Sequence, residues 1–311
     1  MHVISARQFD PDTLQKLFVE AEAYQETCAT HAGRRELAGK WIGESLYKMF
    51  YEPSTRTSGS FGAAAIAFGM GLDGTENAEV FSSAVKGETL EDSIRSMGRN
   101  HSIIVLRHKE KGAAARAAAV SKVPIVNAGD GTGEHPTQAL LDLYTIQHFK
   151  NRLNDLNVVV GGDLKHGRTA RSLAQMLTHY PNNKISFVSV PELQIGEDIT
   201  DYLDERGVEH TETVDMYSAL READVVYWTR LQKERLENPE SVPKEGFKLD
   251  QAALSILPEN AIIMHPLPRQ DEIPTETDDD PRAVYFPQAE NGKYVRMALV
   301  SMILNETCSD T

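Results

Sequence analysis

Short apolar runs rich in β-branched residues alternate along this chain with longer segments of helical periodicity. The first series of runs reads SLYKMFY, SIIVLRH and VPIVNAGD, and the helical segments after them read FGAAAIAFG, GAAARAAAVS and HPTQALLDLYTIQHF. Such runs are typical of parallel strands, which are buried on both faces and joined by helical crossovers. The alternation therefore predicts an α/β fold, a parallel sheet flanked by helices.

The polar segment KNRLNDL interrupts this alternation near residue 150, and a second series of strands and helices follows it. A chain of 311 residues has room for two domains at roughly 150 residues per domain. The amphipathic segment NGKYVRMALVSMILNE has nothing after it to pack on, so we expect it to return to the first domain. The predicted domains are 1–148 with 289–311, and 149–288.

Acidic side chains outnumber basic ones by 46 to 32, which gives a formal net charge of −14. This charge argues against a nucleic-acid or anionic-membrane partner, although a local cluster of arginines can still bind a small anion. Cys28 and Cys308 are far apart and form neither a disulfide framework nor a metal motif. Without a signal-peptide pattern or an apolar run near the ~18 residues of a membrane span, we expect a soluble cytoplasmic protein.

The loops that follow the predicted strands share a basic character. Ligands of open α/β sheets bind beyond the C-terminal ends of the strands, so these loops are the candidate site. Five of the six contain an arginine and the sixth contains His135; they read PSTRT, RH, GDGTGEHPTQ, GGDLKHGRT, TRLQKER and HPLPRQ.

The first of these loops places Ser54, Thr55, Arg56 and Thr57 between a strand and a helix. Free backbone N–H groups at a helix start, together with hydroxyls and a guanidinium, suit a phosphate group. An ordinary helix cap with a surface arginine explains the same residues equally well. The pattern is neither a Walker loop nor a dinucleotide-binding loop, so a nucleotide cofactor is not expected.

The other loops add further chemistry. His135 before a predicted helix can polarise a carbonyl, and Gln138 can accept from an amide. Arg168 and Arg230 at two strand ends suit two carboxylates. The HPLPR turn exposes backbone carbonyls, and a cis bond before Pro268 is expected. Taken together, and without a visible nucleophile or metal motif, the loops indicate direct transfer between two bound small molecules.

These motifs, in this order, closely resemble the catalytic chains of the aspartate carbamoyltransferases, within the aspartate/ornithine carbamoyltransferase family. The match extends from about residue 45 to 305 and includes YFPQAENGKYVRMAL. The resemblance implies two doubly wound domains with the active site in the cleft between them. It also implies carbamoyl transfer from carbamoyl phosphate to L-aspartate, the second step of de novo pyrimidine synthesis, without a cofactor or metal.

The resemblance also assigns roles to individual residues. In the first domain, the phosphate of carbamoyl phosphate is held by Ser54, Thr55, Arg56 and Thr57, with help from Arg107. Its carbonyl oxygen is polarised by Thr57, Arg107 and His135. Its amide is fixed by Gln138 and by the turn at Pro266, Leu267 and Pro268. Aspartate is bound from the second domain by Arg168, Arg230 and Gln232.

Members of this family form trimers, and the resemblance places Lys86 and Ser82 in the active site of a neighbouring copy. On the residues alone, Lys86 is no more than a surface lysine. Whether a regulatory chain also binds is left open by the sequence.

The sequence departs from many members after STRT, where they carry an arginine and then a glutamate. This chain has Ser58 there and continues SGSFG, a serine-rich version that resembles multidomain eukaryotic relatives. Val85 replaces a second lysine of some bacterial members. Two alternatives remain: an ornithine carbamoyltransferase, which typically has Cys where Thr137 and Pro266 stand here, and a non-catalytic carbamoyltransferase-like assembly module.

Overall fold

The computed structural model describes three segments of the chain, with backbone only at 81, 308 and 309: residues 1–81, 87–230 and 247–309. Two compact units are present: unit 1 comprises Met1–Leu141 with Glu290–Thr311, and unit 2 comprises Asp142–Ala289. Each is built around a parallel sheet flanked by helices, which confirms the predicted fold class.

Unit 1 begins with two helices and then alternates strands and helices. In chain order its elements are α1 (Pro11–Ala29), α2 (His31–Leu37), β1 (Ser45–Phe50), α3 (Thr55–Ala67), β2 (Gly71–Thr75), α4 (Ala78–Phe81), α5 (Leu90–Met97), β3 (Ile103–His108), α6 (Ala113–Val120), β4 (Ile125–Asp130) and the start of α7 (Pro136–Lys150). The strands lie in the order β2-β1-β3-β4, all parallel.

Unit 2 repeats the alternation. Its elements after α7 are β5 (Asn157–Gly161), α8 (Arg168–Leu177), β6 (Lys184–Val188), α9 (Glu197–Asp204), β7 (Glu209–Thr213), α10 (Met216–Leu220), β8 (Val225–Trp228), α11 (Gln251–Ile256), β9 (Ile262–Met264) and the start of α12 (Tyr285–Ser309). The strand order is β7-β6-β5-β8-β9, again parallel.

Local signals fix the helix starts where the side chains supply a cap. Asp10 caps α1 by accepting a hydrogen bond from the Thr13 N–H at 2.7 Å, and Pro11 occupies the first turn, where its missing N–H costs no helical bond. Buried strands such as β3 and β4 bring apolar residues to both faces of the sheet. These strands are the ones that the β-branched runs predict.

Two strands escaped prediction, and both lie at a sheet edge. β2 reads GLDGT and β7 reads EHTET, and most of their residues are exposed. Because their side chains are mostly exposed, no apolar run marks them, whereas β4, which also lies at an edge, is buried and is marked by such a run. Backbone pairing to one neighbour is enough to hold each of them.

The last helix completes unit 1, as expected from its amphipathic sequence. From Glu290 onward α12 belongs to unit 1. The Oγ of its buried Ser301 lies 3.0 Å from the Tyr24 hydroxyl, within hydrogen-bond distance, and its Arg296 donates to the Ser60 Oγ at 2.8 Å. The core of unit 1 therefore depends on residues that are distant in sequence.

The acidic segment TETDDDP is tied into unit 2 by its backbone and side-chain contacts. It contains a short 3-10 helix, Thr275–Asp279, in which Thr277 is buried. Asp278 accepts hydrogen bonds from Arg269, and Asp280 accepts from Arg282. Among the described residues, no helix has both the length and the apolar content to span a membrane.

Candidate active site

The Ser54–Thr57 segment is the first turn of α3, although the sequence predicted the helix only from its alanine-rich part onward. Ser54 occupies the N-cap position, and its side chain makes no capping hydrogen bond to the helix. The first N–H groups of a helix have no partner inside the helix, so a ligand can accept from them. The helix start that the sequence presents as either a cap or an anion site is therefore compatible with both interpretations.

Arg56 projects into solvent from this turn. Within the part of the chain that the structure describes, its side chain forms no hydrogen bond or ion pair. Desolvation by neighbouring protein atoms lowers the pKa of its guanidinium, which nevertheless stays cationic at neutral pH. An exposed cation that is not committed to a carboxylate of its own unit is suited to an incoming anion.

A hydrogen-bonded trio, Lys48, Ser58 and Glu76, holds α3 against the sheet. Ser58 is fully buried, accepts from the Lys48 Nζ at 2.8 Å and donates to Glu76. The Lys48 Nζ also lies 3.6 Å from a Glu76 carboxylate oxygen. Lys48 belongs to β1 and Glu76 follows β2, so this trio joins two strands to the start of α3. The sequence analysis did not find it.

Arg107 stands at the end of β3, directly beside the strand that leads into α3. It is the partner of Phe50 in the β1–β3 register, and its carbonyl accepts from the Tyr51 N–H at 2.8 Å. The guanidinium donates to the Ala128 carbonyl at 3.1 Å and lies 3.5 Å from a Glu52 carboxylate oxygen. These contacts orient the side chain before any ligand binds.

His135 precedes α7, and the structure buries both it and Gln138. The His135 carbonyl accepts from the Gln138 N–H at 3.0 Å, and its Nδ1 lies 3.4 Å from the Thr137 Oγ1. Asp130 closes the preceding loop by accepting from the Glu134 N–H at 2.8 Å. The loop thus presents the imidazole at a defined position.

Strand order brings these unit 1 residues to one edge of the sheet. β1, β3 and β4 are neighbours, and the predicted residues follow their C-terminal ends. The group consists of Ser54, Thr55, Arg56, Thr57, Arg107, His135 and Gln138.

Arg168 is the first residue of α8 in unit 2 and is half-buried. Gly167 before it has no side chain with which to cap the helix. The fully buried Asp163 shapes the loop, because its Oδ1 accepts from the His166 N–H at 3.0 Å and lies 3.1 Å from the His166 Nδ1.

The glycine pair at the end of β5 allows the neighbouring strand to approach. A Cβ on Gly161 would collide with the indole of Trp228, and a Cβ on Gly162 would collide with the Thr229 backbone. Gly162 also has a φ of +106°, which L side chains rarely adopt. Its carbonyl accepts from the Ser189 Oγ at 2.6 Å. The two glycines therefore allow close packing of β5 against β8 and do not form a phosphate-binding loop.

The remaining unit 2 residues also follow neighbouring strands. Arg230 lies just beyond β8 and is half-buried, and the 265–268 turn follows β9. Because β5, β8 and β9 are neighbours, one sheet edge carries both arginines and the turn. The predicted cis bond between Leu267 and Pro268 is present, which confirms that prediction.

Buried polar side chains support this turn. The Leu267 N–H donates to the His265 Nδ1 at 2.8 Å, and the His265 Nε2 lies 3.0 Å from the Glu272 Oε1. The pKa of Glu272 is lowered because hydrogen bonds from His265 and from the Gln270 N–H outweigh the opposing effect of its burial. The sequence predicts an irregular turn from its prolines, but it does not predict the contact between His265 and Glu272.

Three predicted site residues, Ser82, Lys86 and Gln232, lie outside the described residues. Their roles stay predictions.

Two family models match the chain. The model described as the carbamoyl-P binding domain of aspartate/ornithine carbamoyltransferase matches residues 1–148, and the Asp/Orn binding domain matches residues 154–303. The chain belongs to the aspartate/ornithine carbamoyltransferase family. The two models separate the arginines as the units do, with Arg56 and Arg107 in the first and Arg168 and Arg230 in the second.

Individual carbamoyltransferases agree with this assignment. The chloroplastic aspartate carbamoyltransferase of Oryza sativa subsp. japonica is 47% identical over 309 residues, which cover 97% of this chain and 84% of the relative. The catalytic subunit of M. jannaschii aspartate transcarbamoylase is 38% identical, with a TM-score of 0.89 and 98% of both chains covered. The Trypanosoma cruzi aspartate transcarbamoylase in complex with carbamoyl phosphate and aspartate is 36% identical, with a TM-score of 0.89 and coverage of 96% of this chain and 95% of that chain.

Proposed function

We propose that this chain transfers the carbamoyl group of carbamoyl phosphate to the amine of L-aspartate, giving N-carbamoyl-L-aspartate and phosphate. One observation carries the proposal. The sheet edge of unit 1 combines the anion-binding start of α3 with Arg107 and His135, in a chain that matches both domains of the family. The T. cruzi relative, solved with both substrates, supports the same reaction.

Carbamoyl phosphate is the ligand proposed for unit 1. Its phosphate accepts from the helix N–H groups, from the hydroxyls of Ser54, Thr55 and Thr57, and from Arg56. Its carbonyl oxygen faces Arg107 and His135, which stabilise negative charge as it develops there. The amide is assigned to Gln138 and to the backbone carbonyls of the 265–268 turn.

The second substrate is proposed to be aspartate and not ornithine. Arg168 and Arg230 stand at one sheet edge of unit 2, where their guanidinium groups match two carboxylates. The cationic side chain of ornithine would be repelled by the same pair. Gln232 is assigned to aspartate as well, by resemblance.

The proposed step is a direct displacement. The aspartate amine attacks the carbonyl carbon, a C–N bond forms, and the tetrahedral oxyanion is held by Arg107, His135 and Thr57. The C–O bond to phosphate then breaks, and the leaving phosphate takes the amine proton. Positioning and electrostatic stabilisation supply the rate enhancement.

A carbamoyl-transfer assay with aspartate and ornithine side by side tests this function. We expect turnover with aspartate and little or none with ornithine. Preference for ornithine would overturn the substrate assignment, and no turnover with either would favour a non-catalytic assembly module. The presence of the predicted acceptor and donor residues at both sheet edges argues against that module.

We also propose a homotrimer in which Lys86 and Ser82 act in the site of the neighbouring copy. Inactive Lys86→Ala and Arg56→Ala chains, when mixed, should then recover part of the activity, because hybrid trimers contain an intact shared site. Native mass spectrometry gives the assembly size. No recovery after proven subunit exchange would contradict shared sites.

A cytoplasmic location is a further proposal, supported by the sparse, widely spaced cysteines. A fluorescent fusion imaged in the source cell tests it. The rice relative is chloroplastic by name, so plastid signal is the informative contrary outcome.

A further inference from the structure

His265 is a buried titratable group at the start of the 265–268 turn, and the function proposed above gives it no role. It is 2% exposed, and both ring nitrogens have hydrogen-bond partners within unit 2. Its backbone N–H donates to the Gln288 Oε1 at 2.8 Å. The two ring contacts hold the orientation of the imidazole and the backbone contact holds its Cα, so the ring can fix the position of the turn beside it.

The two partners define its tautomer. A backbone N–H can only donate, so the Nδ1 that receives the Leu267 N–H must carry a lone pair. The Glu272 carboxylate accepts, so the Nε2 must carry the proton. Glu272 is held in turn by the Gln270 N–H at 2.9 Å. The pair is thus a neutral imidazole whose acceptor nitrogen faces the turn.

The backbone at Leu267 needs such support. Its φ is 53°, in the left-handed region that costs a residue with a Cβ about 1 kcal/mol or more. The hydrogen bond from its N–H to His265 holds this conformation, and it also keeps the N–H turned toward the protein. With the N–H directed inward, the direction of the adjoining Pro266 carbonyl is fixed.

We propose that His265 is a positioning residue for carbamoyl transfer. Through its Nδ1 it sets the direction of the Pro266 carbonyl, which the proposed function assigns to the amide of carbamoyl phosphate, and Glu272 sets its tautomer. This inference rests on the proposed function. It assigns the histidine a part in selecting the carbamoyl group, without contact to the substrate.

Two substitutions separate positioning from structural support. In His265→Asn the amide oxygen takes the place of Nδ1 and can still accept from the Leu267 N–H, but the link to Glu272 is lost. In His265→Gln the amide nitrogen takes the place of Nε2 and can still reach Glu272, but the acceptor for Leu267 is lost. Each variant removes one buried hydrogen bond, so their thermal stabilities should fall by similar amounts.

Activity should divide the two variants. We expect kcat of His265→Asn to stay within about tenfold of wild type and kcat of His265→Gln to fall by roughly 10²-fold, the effect of misplacing a positioning group by about 1 Å. Acetyl phosphate, which has a methyl group in place of the amide, is the matched probe. Wild type and His265→Asn should prefer carbamoyl phosphate over acetyl phosphate, and His265→Gln should lose much of that preference.

Equal loss of activity in both variants, with the preference for the carbamoyl group unchanged, would overturn the proposal. If neither variant folds, ¹⁵N chemical shifts of His265 in the wild-type protein test the premise: a proton on Nδ1 is incompatible with the bond from Leu267 and would overturn the proposal. That measurement is independent of turnover. A wild-type chain without carbamoyl transfer would refute the proposed function while leaving the tautomer test intact.

Discussion

Both units present an arginine at the start of a helix that follows a parallel strand, yet the two loops are supported in different ways. The loop before α3 (51–54) is short, and side chains of the Lys48 trio hold the helix behind it. The loop before α8 (162–167) is longer, and its backbone packs directly against Thr229 and Ser189. We expect that the side chains that support α3 can be replaced by a different set of interacting side chains. The glycines before α8, in contrast, leave no space for an added Cβ.

The largest effect is expected from the arginines themselves. Arg56→Ala should lower kcat by ~10² or more, because the proposed phosphate cradle places Arg56 where charge develops on the leaving phosphate. Arg168→Ala should act mainly by raising the KM for aspartate. Steady-state kinetics with each substrate varied will measure both. Activity of Arg56→Ala within a few-fold of wild type would refute the phosphate cradle. If both variants changed kcat and the two KM values in the same way, the assignment of one substrate to each unit would be refuted.

Adding one methyl group in each region tests the difference in packing. Gly161→Ala should destabilise unit 2 by about 1–3 kcal/mol, because the new Cβ collides with Trp228. Gly59→Ala, in α3 with nothing within 4 Å of the new Cβ, should instead stabilise unit 1 by about 0.5–1 kcal/mol. Urea unfolding followed by fluorescence reports both. An unchanged free energy of unfolding in Gly161→Ala would show that the contact with Trp228 can adjust to the added methyl group.

The smallest effect is expected from exchanging the supporting trio. Lys48→Ser should raise the KM for carbamoyl phosphate about tenfold, the equivalent of one charge-assisted hydrogen bond. Adding Ser58→Arg and Gly62→Glu, the residue types that many family members carry after STRT, should restore it. A Cβ at Gly62 would stand 3.8 Å from the Lys48 Nζ, so a glutamate at position 62 would occupy the space that the Lys48 ammonium group fills in this chain.

A matched control keeps this test specific to α3. Lys150 in unit 2 is also buried, and it lies 3.3 Å from an Asp224 carboxylate oxygen. Lys150→Ser should reduce stability while leaving the KM for carbamoyl phosphate unchanged. If the triple variant is no better than Lys48→Ser, the two supports are not interchangeable.

The fold was predictable wherever burial leaves a mark on the sequence. Strands buried on both faces, such as β4 and β8, appear as apolar runs, and the loops after them carry the arginines and His135. The edge strands β2 and β7 leave no such mark, because most of their side chains are exposed to solvent. The start of α3 was missed for a related reason: its first turn consists of polar residues that are suited to a ligand.

The supporting residues of the candidate site were beyond prediction from one sequence. Lys48 meets Glu76 only because β1 pairs with β2 in a register that places Lys48 opposite Gly74. That pairing cannot be anticipated when β2 itself is not recognised. His265 and Glu272 are seven residues apart, but an irregular turn brings them together, and no helical or strand period predicts this contact.

The division of unit 1 into two sequence segments has a consequence for synthesis on the ribosome. Unit 2 is one continuous stretch, 142–289, and is complete before the residues of α12 that belong to unit 1 have been made. Until Arg296 and Ser301 emerge, Ser60 and Tyr24 lack their partners and the apolar face that α12 covers is open. Unit 1 begins to be synthesised first but is completed last. Its open apolar face is therefore exposed to aggregation while residues 142–289 are being made.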